Sequence, residues 1–297
     1  MFKEYLFEYL NKHPMHRGPI FALLRKAHPI FVEYPGNPQS RYGYGKSPHK
    51  SLFSIINSNR ELYKENLTKI LEYKENFINI SMNENKNNPT YPSWNNGWLP
   101  GLDAAALYSF MALNNPKNYF EIGSGNSTKF AKHSIRNHKL KTKITSFDPN
   151  PRAEIDSICD EVIRKPVENI DTSIFQELGE GDILFVDNSH FSFMNSDVTV
   201  VFLDILPELK KGVIVQFHDI FLPYDYPPEW RGRYFSEQYL LASYLLADEK
   251  KLEVILPNNF ITQDNELKNI MKPLWENPKM KGIEAYGGSF WIKINKK

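Results

Sequence analysis

From residue 118 onward the chain repeats one pattern: a short apolar run, a turn, then a stretch with apolar positions every three or four residues. The apolar runs are NYFEI (118–122), KITSFDP (143–149), EVIRKPV (161–167), DILFVDNS (182–189) and VIVQFHDI (213–220). Each is rich in β-branched and aromatic residues and too short for a typical helix, so each predicts a strand. Between them lie STKFAKHSIRN, RAEIDSIC, ENIDTSIFQEL and DVTVVFLDILPEL, which carry helical spacing. Strands alternating with helices predict a parallel sheet covered on both faces. Two further runs, LEVILPN (252–258) and GGSFWIKIN (287–295), are separated by a polar connection with little helical pattern close to the last strand. A hairpin-like antiparallel strand closing a mostly parallel sheet fits that ending.

The first third reads differently. Residues 1 to about 46 mix short helical patterns with turn signals such as YPGNP and YGYGKSP. Ser47-Pro48 then has the form of an N-cap followed by proline at the first helical position. Leu52, Ile55, Ile56, Leu62, Tyr63, Leu67, Ile70, Leu71, Phe77 and Ile78 follow at helical spacing, which predicts one amphipathic helix over 48–80. Such a helix would be roughly 50 Å long, more than one face of a small sheet domain covers. Its uncovered stripe predicts a homodimer; a break near Asn57–Asn59 would instead fold it into two helices on one subunit. The polar, turn-rich NENKNNPTYPS (83–93) marks the best boundary, dividing an N-terminal helical region, 1–90, from the sheet domain, 91–297.

Charge narrows the partners. With 36 basic and 35 acidic residues the chain has a formal charge of +1, which offers no electrostatic case for nucleic acid. The single cysteine, Cys159, excludes an intrachain disulfide and a cysteine-rich zinc site, and its apolar setting reads as a buried structural thiol. MFKEYLFEYLNKHP lacks the apolar core of a signal peptide, and no run approaches the roughly 18 apolar residues of a membrane span. The expectation is a soluble, cytoplasmic protein acting on a small molecule, without membrane contact.

The chemistry begins at FEIGSGNST (120–128). A glycine turn between strand and helix lets backbone N–H groups and the positive helix end approach a ligand. Gly123-Ser124-Gly125 alone is weak evidence, and a dinucleotide fingerprint would place glycine or alanine where Thr128 stands. Glu121 sharpens the choice. Beside a pyrophosphate a carboxylate is repulsive, whereas beside an ammonium group it attracts. S-adenosylmethionine carries an amino-acid ammonium, a sulfonium and no phosphate, and its carboxylate suits the turn N–H groups or Ser127 and Thr128. Glu121 as an ordinary polar strand-end residue is the competing reading. Asp148-Pro149 closes the next strand about twenty residues later, where an acid accepts both ribose hydroxyls; nicotinamide cofactors need the same acid. Val167, after the third strand, is placed to contact adenine.

FEIGSGNST, SFDP, ILFVDNSH, KKGVIVQFHDI and the closing GGSFWIKI together resemble a class I S-adenosylmethionine-dependent methyltransferase, and within it a bacterial group with an EIGSGxST turn and a VDxxH fourth strand. The resemblance covers roughly 95–297 and implies a Rossmann-like α/β fold. Its seven-stranded, mostly parallel sheet carries an antiparallel last strand inserted between the fifth and sixth. It implies that Glu121 and Asp148 bind cofactor, with Gly123, Ser124, Gly125, Ser127, Thr128, Pro149, Val167 and Asp187 around it.

Asp187, Asn188 and His190 follow the fourth strand, and His218 and Asp219 the fifth, so five polar groups converge where open α/β sheets bind ligands. Two active readings compete. Either His190 or His218 takes a proton from the methyl acceptor as general base, with Asp187 beside them. Or Asp187 and Asp219 hold Mg²⁺, as strand-end carboxylates do in catechol-type O-methyltransferases, although His218 then stands where those sites usually offer another oxygen ligand. His218 as an ordinary strand-end histidine and Asp219 as an N-cap are the plain alternatives. Tyr224, Tyr226, Trp230 and Arg233 on one side, and Trp94 and Trp98 on the other, are candidates for the substrate wall, and Arg231 with Arg233 hints at an anionic substrate. Methyl transfer to oxygen is the leading function. A nucleoside-binding regulatory or scaffold protein, or an NAD-dependent oxidoreductase, are the alternatives.

Overall fold

Seven of the apolar runs become strands of one sheet in the computed structural model, which describes residue 9, residues 36–248 and residues 250–295. They are β1 (Asn118–Ile122), β2 (Lys143–Phe147), β3 (Glu161–Ile163), β4 (Ile183–Val186), β5 (Ile214–Phe217), β6 (Leu252–Pro257) and β7 (Phe290–Ile294). The sheet order is β3-β2-β1-β4-β5-β7-β6. β1 to β5 pair in parallel, and β7 runs antiparallel to both β5 and β6. Almost every residue of β1, β4 and β5 is buried, as helices on both faces of a parallel sheet require. The order reverses between β1 and β4, so their carboxyl ends open a crevice there.

The segment over 48–80 is not one helix. It forms α1 (Lys50–Ser58), α2 (Arg60–Leu71) and the single turn α3 (Lys74–Phe77). Asn59 leaves the helical conformation, and its side-chain amide donates to the Val254 carbonyl of edge strand β6 at 3.0 Å. Asn66 does the same to Ile255 at 2.9 Å. Two asparagines thus satisfy carbonyls that a sheet edge would otherwise expose. Across the break the Tyr63 hydroxyl donates to the Ile56 carbonyl at 2.6 Å. Leu52, Ile56, Tyr63, Leu67, Ile70 and Phe77 are buried in the same hydrophobic core as the sheet, which runs without interruption past the boundary expected at 83–93. The apolar stripe is covered within the chain, so it supplies no ground for a homodimer.

Further helices follow. α4 (Gly101–Asn114) is buried on nearly every side, and α5 (Asn126–His138) leaves the glycine turn. RAEIDSIC and ENIDTSIFQEL are not helices: they form 3₁₀ turns at Asp156–Ile158, Val167–Asn169 and Thr172–Glu177. α6 (Asp197–Val200) continues through a π turn into a 3₁₀ turn at Pro207. α7 (Glu237–Ala247) precedes β6 and packs against α1. The link from β6 to β7 is no hairpin loop; it holds α8 (Asn258–Gln263), α9 (Asn265–Ile270) and α10 (Lys272–Trp275). Arg60 grips Asp264 in a two-pronged pair at 2.8 and 2.7 Å and fastens α2 to that link. Among the described residues no helix is long and apolar enough to cross a membrane.

Candidate active site

At the carboxyl ends of β1, β2, β4 and β5 lies a cavity of about 790 Å³. The turn after β1 is its first wall. Gly123 has φ +79°, and a Cβ there would lie 1.8 Å from the Asp187 carbonyl oxygen, so only glycine lets this turn meet the end of β4. Ser124 N donates to Asp148 Oδ2 at 2.8 Å, which ties the turn to the end of β2. Asp148 Oδ1 accepts from Asn150 N at 2.7 Å. A carboxylate has about four lone-pair sites, so Asp148 keeps acceptor capacity for a ligand. It lines the cavity with Pro149 and Val167, as expected.

Glu121 does something else. It is fully buried and off the cavity wall. Its Oε1 accepts from Tyr119 Oη at 2.9 Å, and its Oε2 accepts a short bond from Thr128 Oγ1. Thr128 Oγ1 in turn accepts from Gly125 N at 3.0 Å. Glu121 therefore shapes the turn from inside, and Thr128 is the connector. Gly125, Ser127 and Thr128 stand off the wall as well, so Gly123 and Ser124 are the residues of this turn that reach the cavity. The reason is strand alternation: Ile122 lines the cavity, and the neighbouring side chain points the other way.

Burial pushes the Glu121 carboxyl up to about 7, although bonds from Ser127, Thr128 and Tyr119 favour its charge. An acid raised above its unfolded value costs stability as it ionises. Stability is full below about 4.5 and declines as pH rises through about 7, by roughly 3 kcal/mol. Glu121→Gln cannot ionise. Its stability relative to the wild type is expected to rise by that amount between pH 5 and 8 in urea melts, and parallel pH curves would refute the assignment. Burial also raises the Cys159 thiol to about 12, consistent with a structural cysteine.

The floor holds the expected strand-end groups. Asp187, Asn188, His190, His218 and Asp219 all line the cavity. His190 Nε2 lies 3.5 Å from Asp187 Oδ1 and 3.6 Å from Asp219 Oδ2. His218 Nδ1 lies 3.6 Å from Asp187 Oδ1 and 3.4 Å from Asp219 Oδ1. Each imidazole has a second carboxylate behind it: Glu237 at 2.8 Å from His190 Nδ1, and Asp103 at 3.3 Å from His218 Nε2. Asp103 and Glu237 are fully buried. Four carboxylates thus surround two histidines.

That count decides the protonation. Burial pulls His190 down, but contacts with Asp187 and Glu237 outweigh it and hold the ring up at about 10. His218 is likewise pulled down by burial and driven well above its ordinary value by Asp219 and Asp187. Burial raises Asp187, yet His218 and His190 hold it well below the usual carboxylate range. Burial raises Asp219 above it. Both imidazoles are thus held above their ordinary value by the carboxylates around them, which disfavours His190 or His218 as the general base expected from sequence. The Mg²⁺ expectation also meets misfit donors. Asp187 and Asp219 each face two imidazolium rings, which repel a hard cation. Among the described residues no three histidine, cysteine or acidic groups are placed to hold a metal ion.

Around the rim, Trp98 and Trp230 line the cavity with Arg152 and Arg233. Arg152 stacks over Trp98 at 4.2 Å and Arg233 over Trp230 at 4.1 Å. Trp94, Tyr224, Tyr226 and Arg231 are not on this wall; Trp94 is a core residue whose indole donates to the Phe77 carbonyl. Asp103 and Glu237 were missed in the sequence. Asp103 had a signal, as the one charge in the apolar helix GLDAAALYSFMALN. Glu237 had none, since an acid in a first helical turn is ordinary.

Residues 120–220 match the model of a family described as a methyltransferase domain, a stretch that runs from β1 past β5 and contains the glycine turn and the strand-end cluster. No curated protein matches the chain. Among solved structures, the SAH-bound methyltransferase PaMTH1 of Podospora anserina is 16% identical with a TM-score of 0.41, over 83% of this chain and 95% of that one. The O-methyltransferase from Bacillus cereus, in complex with SAH, is 9% identical with a TM-score of 0.36, over 83% and 99%.

Proposed function

We propose that the protein transfers a methyl group from S-adenosylmethionine to a hydroxyl group of a small molecule. The observation that carries this reading is the placement of the Asp187–Asp219 pair in one cavity with the Gly123 turn and Asp148. The residues present fit the cofactor. Asp148 has free acceptor sites for ribose hydroxyls, Val167 and Pro149 give an apolar wall for a base, and the Gly123-Ser124 turn brings backbone close. When bound, S-adenosylmethionine supplies an electrophilic methyl group on a sulfonium.

The chain's own groups do the rest. The cavity walls hold donor and acceptor in line, which is the largest available contribution to the rate. Asp219 faces the cavity with its carboxyl raised by burial, and it takes the proton that the acceptor hydroxyl loses as its oxygen gains the methyl group. The cationic His190 and His218 keep Asp187 and Asp219 from repelling one another. Trp98 and Trp230 offer flat faces for a ring-bearing acceptor.

Binding of S-adenosylhomocysteine by the full chain tests the reading. Asp148→Ala is expected to weaken it by roughly 1.5–3 kcal/mol, through loss of charge-assisted bonds to ribose and of the Ser124 tie. Calorimetry that finds tight NAD binding and none of S-adenosylhomocysteine would overturn the proposal.

A further inference from the structure

We propose that Glu237 is the positioning residue for His190: with Asn188 it fixes which ring nitrogen of His190 meets the cavity carboxylates. The consequence for turnover rests on the methyl-transfer reading above; the geometry does not. Glu237 sits in the first turn of α7, fully buried and off the cavity wall. Its Oε2 is 2.8 Å from His190 Nδ1, and its Oε1 accepts from Asn188 Nδ2 at 2.9 Å. Asn188 Oδ1 accepts from His190 N at 2.9 Å, which closes a ring of three residues. The His190 carbonyl accepts from Ser236 N at 2.8 Å and from Glu237 N at 3.3 Å. Both backbone polar atoms of His190, and one ring nitrogen, are therefore bound to a frame made of Asn188 and the start of α7.

That frame explains an anomaly. His190 has φ +62°, a left-handed conformation uncommon for any residue but glycine, although histidine tolerates it better than most. Such a conformation persists only where the surroundings hold it, and here four polar contacts to His190 do so. The result is a ring with Nδ1 turned to Glu237 and Nε2 left for Asp187 and Asp219. Phe235, 4.7 Å away between ring centroids, packs on the imidazole. A carboxylate on one nitrogen fixes the ring's orientation and favours its charged form, a device that works through the histidine rather than by touching substrate.

His218 has a looser counterpart. Asp103 Oδ2 lies 3.3 Å from its Nε2 without the alignment of a hydrogen bond, and the same carboxylate accepts from Asn258 Nδ2, Gly288 N and Ser289 N. Asp103 holds the entry to β7, so its removal would disturb the sheet. Glu237 makes the separable test.

The groups facing His190 are Asp187 after β4, Asp219 after β5 and Glu237 on α7, with His218 beside the same two aspartates. Histidine-labelled protein, wild type, Glu237→Gln and Glu237→Asp, would be followed by NMR and by S-adenosylhomocysteine titration. In the wild type the Nδ1 proton of His190 is expected to be strongly deshielded and slow to exchange. In Glu237→Gln the ring is expected to titrate lower by about one pH unit or more, with Glu237→Asp in between. Affinity for S-adenosylhomocysteine should stay within about twofold in both variants, and with an acceptor in hand kcat should fall on the order of 10²-fold at little change in KM. An ordinary, fast-exchanging Nδ1 proton in the wild type overturns the proposal even if Glu237→Gln fails to fold. So does a Glu237→Gln protein that folds with His190 titrating as before. Absence of S-adenosylhomocysteine binding in the wild type would instead strike the methyl-transfer reading and leave the NMR result standing.

Discussion

Gly123→Ala is expected to abolish measurable binding of S-adenosylhomocysteine, with a loss of at least about 100-fold, or roughly 2.7 kcal/mol. The new methyl group would lie 1.8 Å from the Asp187 carbonyl oxygen and 2.8 Å from its carbon, on a backbone held at φ +79°. Neither side can retreat cheaply. Gly123 N donates to the Phe147 carbonyl at 3.0 Å, and Asp187 N to the Ile122 carbonyl at 2.8 Å, so any shift breaks ladder bonds on β2 or β4. The left-handed conformation adds about 1–3 kcal/mol and the overpacking a similar amount, so the melting temperature should fall too. Gly125→Ala is the control. A Cβ there meets nothing within 4 Å, so the variant lacks the clash with β4 and carries only the backbone cost of leaving a glycine-favoured φ/ψ. It should melt above Gly123→Ala and keep more of its affinity for S-adenosylhomocysteine. A Gly123→Ala protein that melts and binds normally would show that the turn does not lean on the end of β4.

How much of this was legible beforehand depends on which physical signal each element leaves. The strands were legible because short apolar runs between turn residues have few other solutions, and β1 occupies the five residues that the pattern marked. One long helix is the first reading of the spacing because α1 and α2 share one buried face. The break at Asn59 is the alternative that the weakened stripe near Asn57–Asn59 marks, with no proline or glycine to decide it. α4 was invisible for the opposite reason: a helix buried on all sides has no amphipathic period. The crossovers after β2 and β3 had helical spacing yet form only 3₁₀ turns, and Pro149, Pro151 and Pro166 interrupt them.

The site divides along the same line. Asp148, Asp187, His190, His218 and Asp219 were legible because strand-end positions in an open α/β sheet face the crevice. Glu121 was found, but the pattern cannot say that it is fully buried or that Tyr119 and Thr128 each bond one of its oxygens. Protonation was out of reach as well. His190 and His218 look like bases until the fold sets Asp187 against both rings, with Asp219 on His218 and Glu237 on His190. These carboxylates hold both imidazoles above their ordinary value. Asp187 and Asp219 as ligands of a divalent ion find no support in a pair of carboxylates that each face two imidazole rings.

Asp219→Asn is expected to lower kcat by roughly 10²–10⁴ while leaving affinity for S-adenosylhomocysteine within about twofold. The substitution is chosen for its backbone. Asp219 has φ +56°, and asparagine adopts the left-handed conformation as readily as aspartate, whereas alanine would add strain. Asparagine also keeps the volume beside Gly288, whose Cβ position lies 3.6 Å from Asp219 Oδ1. What is lost is a negative charge facing His190 and His218, and with it the group that accepts the proton. The wild-type pH profile follows from the same assignment. Burial raises the Asp219 carboxyl, so activity is lost as pH falls through that raised value, when the carboxylate takes a proton. It is lost again as pH rises through about 10, where His190 gives up the proton that screens Asp187 and Asp219. A histidine base would behave differently, with little dependence on Asp219 and activity gained only as pH rises through the raised imidazole value. An Asp219→Asn enzyme with wild-type turnover, or a profile that switches on near pH 10, would move the proton from the carboxylate to His190 or His218.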